Sequence, residues 1–305
     1  MRAPTRNERA PLVAPPGIPP GYVRTVAGRG ELFYRQHVGP PGAPTLLLLH
    51  GWTASADLQF FTAYRALSDA YSFVALDHRG HGRGIRTSEP FTLEACADDA
   101  AALVRDLRVG PVIVVGYSMG GPIAMHTWRR HPDIVAGLVL EATALEWRET
   151  RLERLGWWTM LRLMEFLFRS RLTERLGRRM LTRLTDASPT VKPFVPWIEA
   201  ESSRNNPRMI AEAGHALSRH DARAWAGDVD VPAAVLLTTG DRLVKPRKQR
   251  ALAAALRADV VELAGDHLSP YAHPEQFGRI TRQLVDRVAA RAGSSSPLAS
   301  HRAAG

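Results

Sequence analysis

The chain reads as an α/β protein, a mostly parallel doubly wound sheet with an inserted run of helices. Three observations predict this. Short apolar runs rich in β-branched residues alternate with amphipathic stretches of helical period. Several of those runs, LLLL at 46–49 and VIVV at 112–115 among them, are apolar throughout, as suits strands covered on both faces. The alternation then stops between about Leu145 and Ala226, where helical patterns follow one another without a convincing strand, and resumes afterwards.

The elements follow in order. Residues 1–21 are Pro-rich and polar and are expected to form a flexible arm. YVRTV and ELFYRQHV flank Ala27-Gly28-Arg29-Gly30 and predict two strands joined by a short turn. TLLLLHGW predicts a buried strand ending in His50-Gly51-Trp52, followed by a helix from about Ser55 to Leu67. SFVALD is the next strand, running into Asp77-His78-Arg79-Gly80-His81-Gly82, and Phe91 to Leu107 is helical. Pro111 to Val115, a turn and a second helix come next, and IVAGLVLEAT is another strand. After the helical stretch come the strand AAVLLTTGD, a helix around Arg247 to Leu256, the strand DVVEL, the loop AGDHLSPY and a helix from about Pro274 to Ala290. Residues 22–144 and 227–290 thus form one core in two parts, 145–226 a helical cap, and 291–305 a disordered tail. Open sheets of this kind carry their sites at the strand ends, where an inserted lid is well placed. Its residues Trp157, Trp158, Met160, Leu163, Phe166 and Phe168 are expected to face the site.

Composition narrows the function. The single cysteine, Cys96, rules out an internal disulfide framework and fits a reducing compartment. The N-terminus lacks an apolar signal region and no stretch is apolar for long enough to span a membrane, so a cytoplasmic protein is expected. The formal net charge of +10 comes mostly from arginine, with one concentration between Arg148 and Lys192. No zinc-finger spacing or recognition module accompanies it, so a nucleic-acid partner is not expected. Contact of the basic region with an anionic membrane is the one variant that the charge leaves open.

The chemistry concentrates at PVIVVGYSMGG, residues 111–121. A buried strand, a turn too tight for ordinary residues and a helix meet there. Glycines at 116 and 120 leave room for neighbouring backbone, so that Ser118 can be held strained with its hydroxyl projecting. The amide of Met119 lies at the start of the helix, where free N–H groups favour developing negative charge. One turn supplies a nucleophile and half an oxyanion hole. The phosphate-loop signatures G-x-G-x-x-G and G-K-[ST] are absent.

Together with the HG turn at His50-Gly51, DHRGHG at 77–82, the GD turn at 240–241 and GDH at 265–267, GYSMGG resembles the motif set of the α/β-hydrolase superfamily, in its form with a helical cap. The resemblance covers roughly 22–144 and 227–290. It implies Ser118 as nucleophile, His267 as base and Asp241 as the acid that orients it, in the superfamily's usual chain order. It also implies an oxyanion hole from the backbone amides of Trp52 and Met119, with Trp52 and Tyr117 contacting a substrate. Asp241 and His267 both fall in loops after core strands. His273 competes less well because His-Pro-Glu looks like a helix start, and Asp266 adjoins the base too closely to orient its ring. Glu141, at the end of the strand after the helix that follows the Ser118 turn (the nucleophile elbow in this resemblance), is a second seat for the acid. His78 and His81 lack further grouped ligands, so no metal and no cofactor are expected.

Serine at the elbow separates the chain from dehalogenases and epoxide hydrolases of this fold, which carry aspartate there. The implied activity is ester hydrolysis of the carboxylesterase or lipase kind on a small, apolar acyl substrate. Hydrolysis of carbon–carbon bonds, cofactor-free perhydrolysis and non-catalytic ligand binding by the same fold are the alternatives.

Overall fold

The computed structural model describes residues 12–168 and 188–294. The strands are β1 (Gly21–Val26), β2 (Gly30–His37), β3 (Thr45–Leu49), β4 (Ser72–Leu76), β5 (Val112–Tyr117), β6 (Val135–Glu141), β7 (Ala233–Thr238) and β8 (Asp259–Leu263). They form one sheet in the order β1-β2-β4-β3-β5-β6-β7-β8. β2 pairs antiparallel with both β1 and β4, and all other neighbours are parallel. β3 is flanked by β4 on one side and β5 on the other, so the winding reverses there. That reversal opens a crevice beyond the carboxyl ends of β3 and β5.

The central runs explain themselves. Leu46 to Leu49 are 0% exposed, and alternation divides them between two cores. Leu47 and Leu49 join Val112, Val114, Leu103 and Ile123 on one face of the sheet. Leu46 and Leu48 join Ile113, Val115, Phe73 and Phe277 on the other. Each buried leucine contributes about 2 kcal/mol, and a one-residue slip would exchange every partner.

Where one helix is expected after β3, two short ones form, α1 (Ala56–Phe60) and α2 (Tyr64–Ser68). Ser55 caps the first by accepting from the Leu58 amide, and the Ala63 amide turns back to Phe60 O at 2.8 Å, breaking the helix. Next come α3 (Leu93–Leu107), capped by Thr92, and α4 (Gly120–Arg130) behind β5. In the 145–226 stretch α5 (Arg151–Phe168), α6 (Val195–Ser202) and α7 (Pro207–Arg219) are described. The chain closes with α8 (Pro246–Ala255), a four-residue helix α9 (Ser269–Ala272) within the loop predicted after β8, and α10 (Pro274–Ser294), which reaches past Ala290.

The stretch leaves and rejoins the core at one neck. The Ala222 amide donates to Leu145 O at 2.8 Å, and Glu146 and Asp221 form a β-bridge. A buried lysine of α8, Lys248, reinforces it with Nζ at 2.8 Å from Glu146 and 2.9 Å from Glu153 of α5. Within the stretch Trp157 lies 6.1 Å from the Trp52 ring, and Met160 is half-buried. Trp158 and Leu163 instead turn outward, 58% and 55% exposed, because they fall on the face of α5 away from the core. The side chains of Phe166 and Phe168 lie outside the described residues. So do 1–11 of the N-terminal arm and 295–305 of the tail. The described part of the arm runs against β2, where the Gln36 amide donates to Pro20 O at 3.2 Å. Among the described residues no helix is long and apolar enough to cross a membrane.

Candidate active site

The turn between β5 and α4 holds Ser118 at φ +51°. Only glycine fits on either side: a Cβ on Gly116 would strike the Gly120 carbonyl, and one on Gly120 would strike the Leu49 carbonyl. The strain is held by backbone on both sides. The Ser118 amide donates to Glu141 O at 2.8 Å, and its carbonyl accepts from Thr143 Oγ1 at 2.8 Å and the Gly121 amide at 3.0 Å. Thr143 has no sequence signal of its own, since only the end of β6 brings it there.

The loop after β8 brings His267 to this serine. Nε2 of His267 lies 2.9 Å from Ser118 Oγ, and Nδ1 lies 2.8 Å from Asp241 Oδ2. With Nδ1–H donated to the carboxylate, the lone pair of Nε2 is left to accept the serine proton. Asp266 shapes the loop itself, its carboxylate accepting from the Leu268 amide at 2.8 Å. His273 sits in the turn between α9 and α10.

Asp241 is held on every side. Oδ1 accepts from the amides of Leu243 (2.8 Å) and Val244 (2.9 Å), and Oδ2 accepts from Thr238 Oγ1 at 2.9 Å. Burial alone would raise its carboxyl, but the His267 hydrogen bond and charge, with the Val244 amide and the Thr238 hydroxyl, hold it below the ordinary carboxylate range. Behind it, Gln249 donates to Thr238 Oγ1 at 2.9 Å and to Val244 O at 2.7 Å, while its Oε1 accepts the Thr238 amide at 3.0 Å. These backbone partners fix the amide's orientation, and the Thr238 hydroxyl is left to donate forward to Asp241. Gln249 stands eight positions along the chain on another element, so sequence reasoning missed it.

Glu141, the other seat for the acid, lies elsewhere. Its Oε1 accepts from Thr281 Oγ1 of α10 at 2.7 Å, and it makes no hydrogen bond to His267. Tyr117 is 2% exposed with its hydroxyl donated to His267 O at 2.9 Å. That hydrogen bond ties the strand to the histidine loop. Trp52 is half-buried, its indole N–H donated to Ile210 O of α7 at 2.8 Å, and Gly51 before it abuts the serine: a Cβ there would lie 3.2 Å from Ser118 Cβ. Met119 is fully buried at the N-terminal cap of α4.

His50, His78 and His81 pack as a buried group, with the His50 ring 4.3 Å from His78 and 5.2 Å from His81. Burial, and the neighbouring imidazole in the case of His78, lowers His78 to about 3, and burial lowers His81 to about 4, so both are neutral packing residues. Asp77 ties the adjoining loops, accepting from the amides of Ala56 and Arg83 at 2.8 Å each.

A family model described as the alpha/beta hydrolase fold matches residues 44–274. This chain belongs to the α/β-hydrolase family. With the esterase relatives it matches, it is a hydrolase. It is 29% identical over 254 residues to a pimeloyl-[acyl-carrier protein] methyl ester esterase of Neisseria meningitidis, covering 82% of this chain and 96% of that one. A bifunctional esterase/perhydrolase of Acinetobacter calcoaceticus is 37% identical over 121 residues, 39% of this chain and 43% of its own. Among solved structures, the enol-lactonase of Burkholderia xenovorans superposes with a TM-score of 0.73 at 24% identity, over 87% of this α/β-hydrolase and 100% of that chain.

Proposed function

We propose that this α/β-hydrolase cleaves carboxylic esters of small molecules through an acyl-Ser118 intermediate. The observation that carries the reading is the unbroken line Ser118 Oγ–His267 Nε2 and His267 Nδ1–Asp241 Oδ2, at 2.9 and 2.8 Å. The esterase names of the relatives support the choice of ester over other acyl compounds.

His267 Nε2 takes the Ser118 proton as Oγ bonds to the ester carbonyl carbon, and Asp241 balances the charge on the imidazolium. The carbonyl oxygen becomes an oxyanion within reach of the amides of Met119 and Trp52, the first at a helix N-terminus and the second in the turn beside the serine. Collapse breaks the bond to the alkoxide, which leaves as alcohol with the proton from His267. Water then gives its proton to His267 and attacks the acyl carbon, and release of the carboxylic acid restores Ser118. In this reading residues 145–226 act as the cap. Trp52 and Trp157, with Trp147 5.9 Å further on, suit an apolar acyl group.

The test is Ser118→Ala assayed with p-nitrophenyl esters graded by chain length. Activity should vanish for every ester while the fold survives. Turnover retained after removal of contaminating esterases would reject the reading.

A further inference from the structure

Trp52 stands in a strained turn. The Ala54 amide donates to Gly51 O at 3.3 Å, which places Trp52 and Thr53 in the middle of a four-residue turn. Thr53 has φ +65°, a left-handed conformation that a β-branched residue adopts only when its surroundings enforce it. A turn left to itself would favour glycine there. Something outside the turn must hold it.

That hold comes from 152 residues further along the chain. Asn205, between α6 and α7, donates Nδ2–H to Thr53 O at 2.7 Å. Its Oδ1 accepts the Gly82 amide at 2.8 Å, which ties in the loop after β4. Both partners are backbone groups, one acceptor and one donor, so the amide has a single satisfied orientation. The neighbours strengthen the seat: the Asn206 amide donates to Gly80 O at 2.8 Å, and Arg86 Nη2 donates to Arg204 O at 2.7 Å. The Trp52 indole is fixed to Ile210 O in the same region.

We infer that Asn205 is a positioning residue which latches the turn carrying the Trp52 amide, so that docking of the 201–210 segment completes the oxyanion hole. The catalytic half of this rests on the ester-hydrolase reading; the latch itself does not. Asn205 touches no reacting atom. It acts through the backbone of residues 52–53, and an amide displaced by a fraction of an ångström still permits substrate to bind but serves the tetrahedral state poorly.

Two variants test it. Asn205→Asp keeps the acceptor for Gly82 and loses the donor to Thr53, and Asn205→Ala loses both. Hydrogen exchange of the peptide covering 51–58 reads the latch without reference to activity. It should quicken in both variants while the β5 peptide is unchanged. With p-nitrophenyl esters, kcat should fall about 10- to 100-fold with KM within about twofold, and affinity for a trifluoromethyl ketone should fall by a similar factor. Unchanged exchange over 51–58 overturns the latch. Quickened exchange with unaltered kcat, or a rise in KM alone, overturns its role in the oxyanion hole. If the wild-type protein hydrolyses no ester, or if Ser118→Ala is as active as the wild type, it is the ester-hydrolase reading that fails, and the exchange data still decide whether the latch exists.

Discussion

Replacing Glu141 with glutamine should shift stability in favour of the variant as the pH rises from acid to alkali. Glu141 is 0% exposed, Oε1 accepts from Thr281 Oγ1 at 2.7 Å, and Oε2 has no hydrogen-bond partner. Burial pushes its carboxyl from 4.5 up to about 8, the Thr281 hydrogen bond offsetting only part of the rise. A carboxyl raised by folding favours the folded state below its unfolded value, and that advantage disappears as the pH climbs through the folded value. The window is therefore about pH 4.5 to 8. At about 1.4 kcal/mol per pH unit, the rise from 4.5 to about 8 corresponds to at most about 5 kcal/mol. Relaxation around the buried charge reduces this, so on the order of 2–5 kcal/mol should be lost across the window. Glutamine keeps the oxygen that Thr281 donates to and cannot ionise. Urea unfolding of both proteins at pH 5, 7 and 9 measures the effect. The difference between them should grow steadily with pH in favour of Glu141→Gln, whatever constant offset the buried amide adds. Parallel stability curves would refute the reasoning.

Asp241→Asn should lower kcat by about 10⁴-fold while the protein stays folded, because the imidazole loses both its orientation and its countercharge. In the same assay Glu141→Gln should change kcat by no more than a few fold, and the opposite ranking would move the acid to Glu141. Thr238→Val removes one donor from the Asp241 carboxylate and should lower kcat roughly 10-fold, as expected for a hydrogen bond to a charged group; an unaltered kcat would leave Thr238 with a packing role only. Lys248→Met strips two carboxylates of a buried partner and should lower unfolding stability by about 3 kcal/mol. A loss below about 1 kcal/mol by urea unfolding would show that the neck does not depend on it.

Much of this was legible in the chain because the deciding signals are local. The runs 46–49 and 112–115 have to be buried on both faces, and they are. Gly116 and Gly120 have to lack side chains for Ser118 to turn out between two packed backbones. Loop positions after β7 and β8 were enough to bring Asp241 and His267 together. What escaped depends on distant partners. Nothing near Gln249 or Asn205 shows that one backs Asp241 and the other grips Thr53, since each contact joins separate elements. The surroundings of Tyr117 were hidden for a related reason: the β-strand's alternation turns its ring into the core towards Phe277, a partner 160 positions away. The break in the helix predicted after β3 left no trace in the sequence, because every residue of α1 is buried and the amphipathic period that would mark its end is missing.

The most direct measurement is mass spectrometry of the protein quenched during turnover of a slowly hydrolysed p-nitrophenyl ester. One acyl group should appear on the peptide that contains Ser118. The adduct should be absent from Ser118→Ala and form far more slowly in His267→Ala. Turnover without any adduct, or an adduct on another residue that survives Ser118→Ala, would contradict an acyl-Ser118 mechanism.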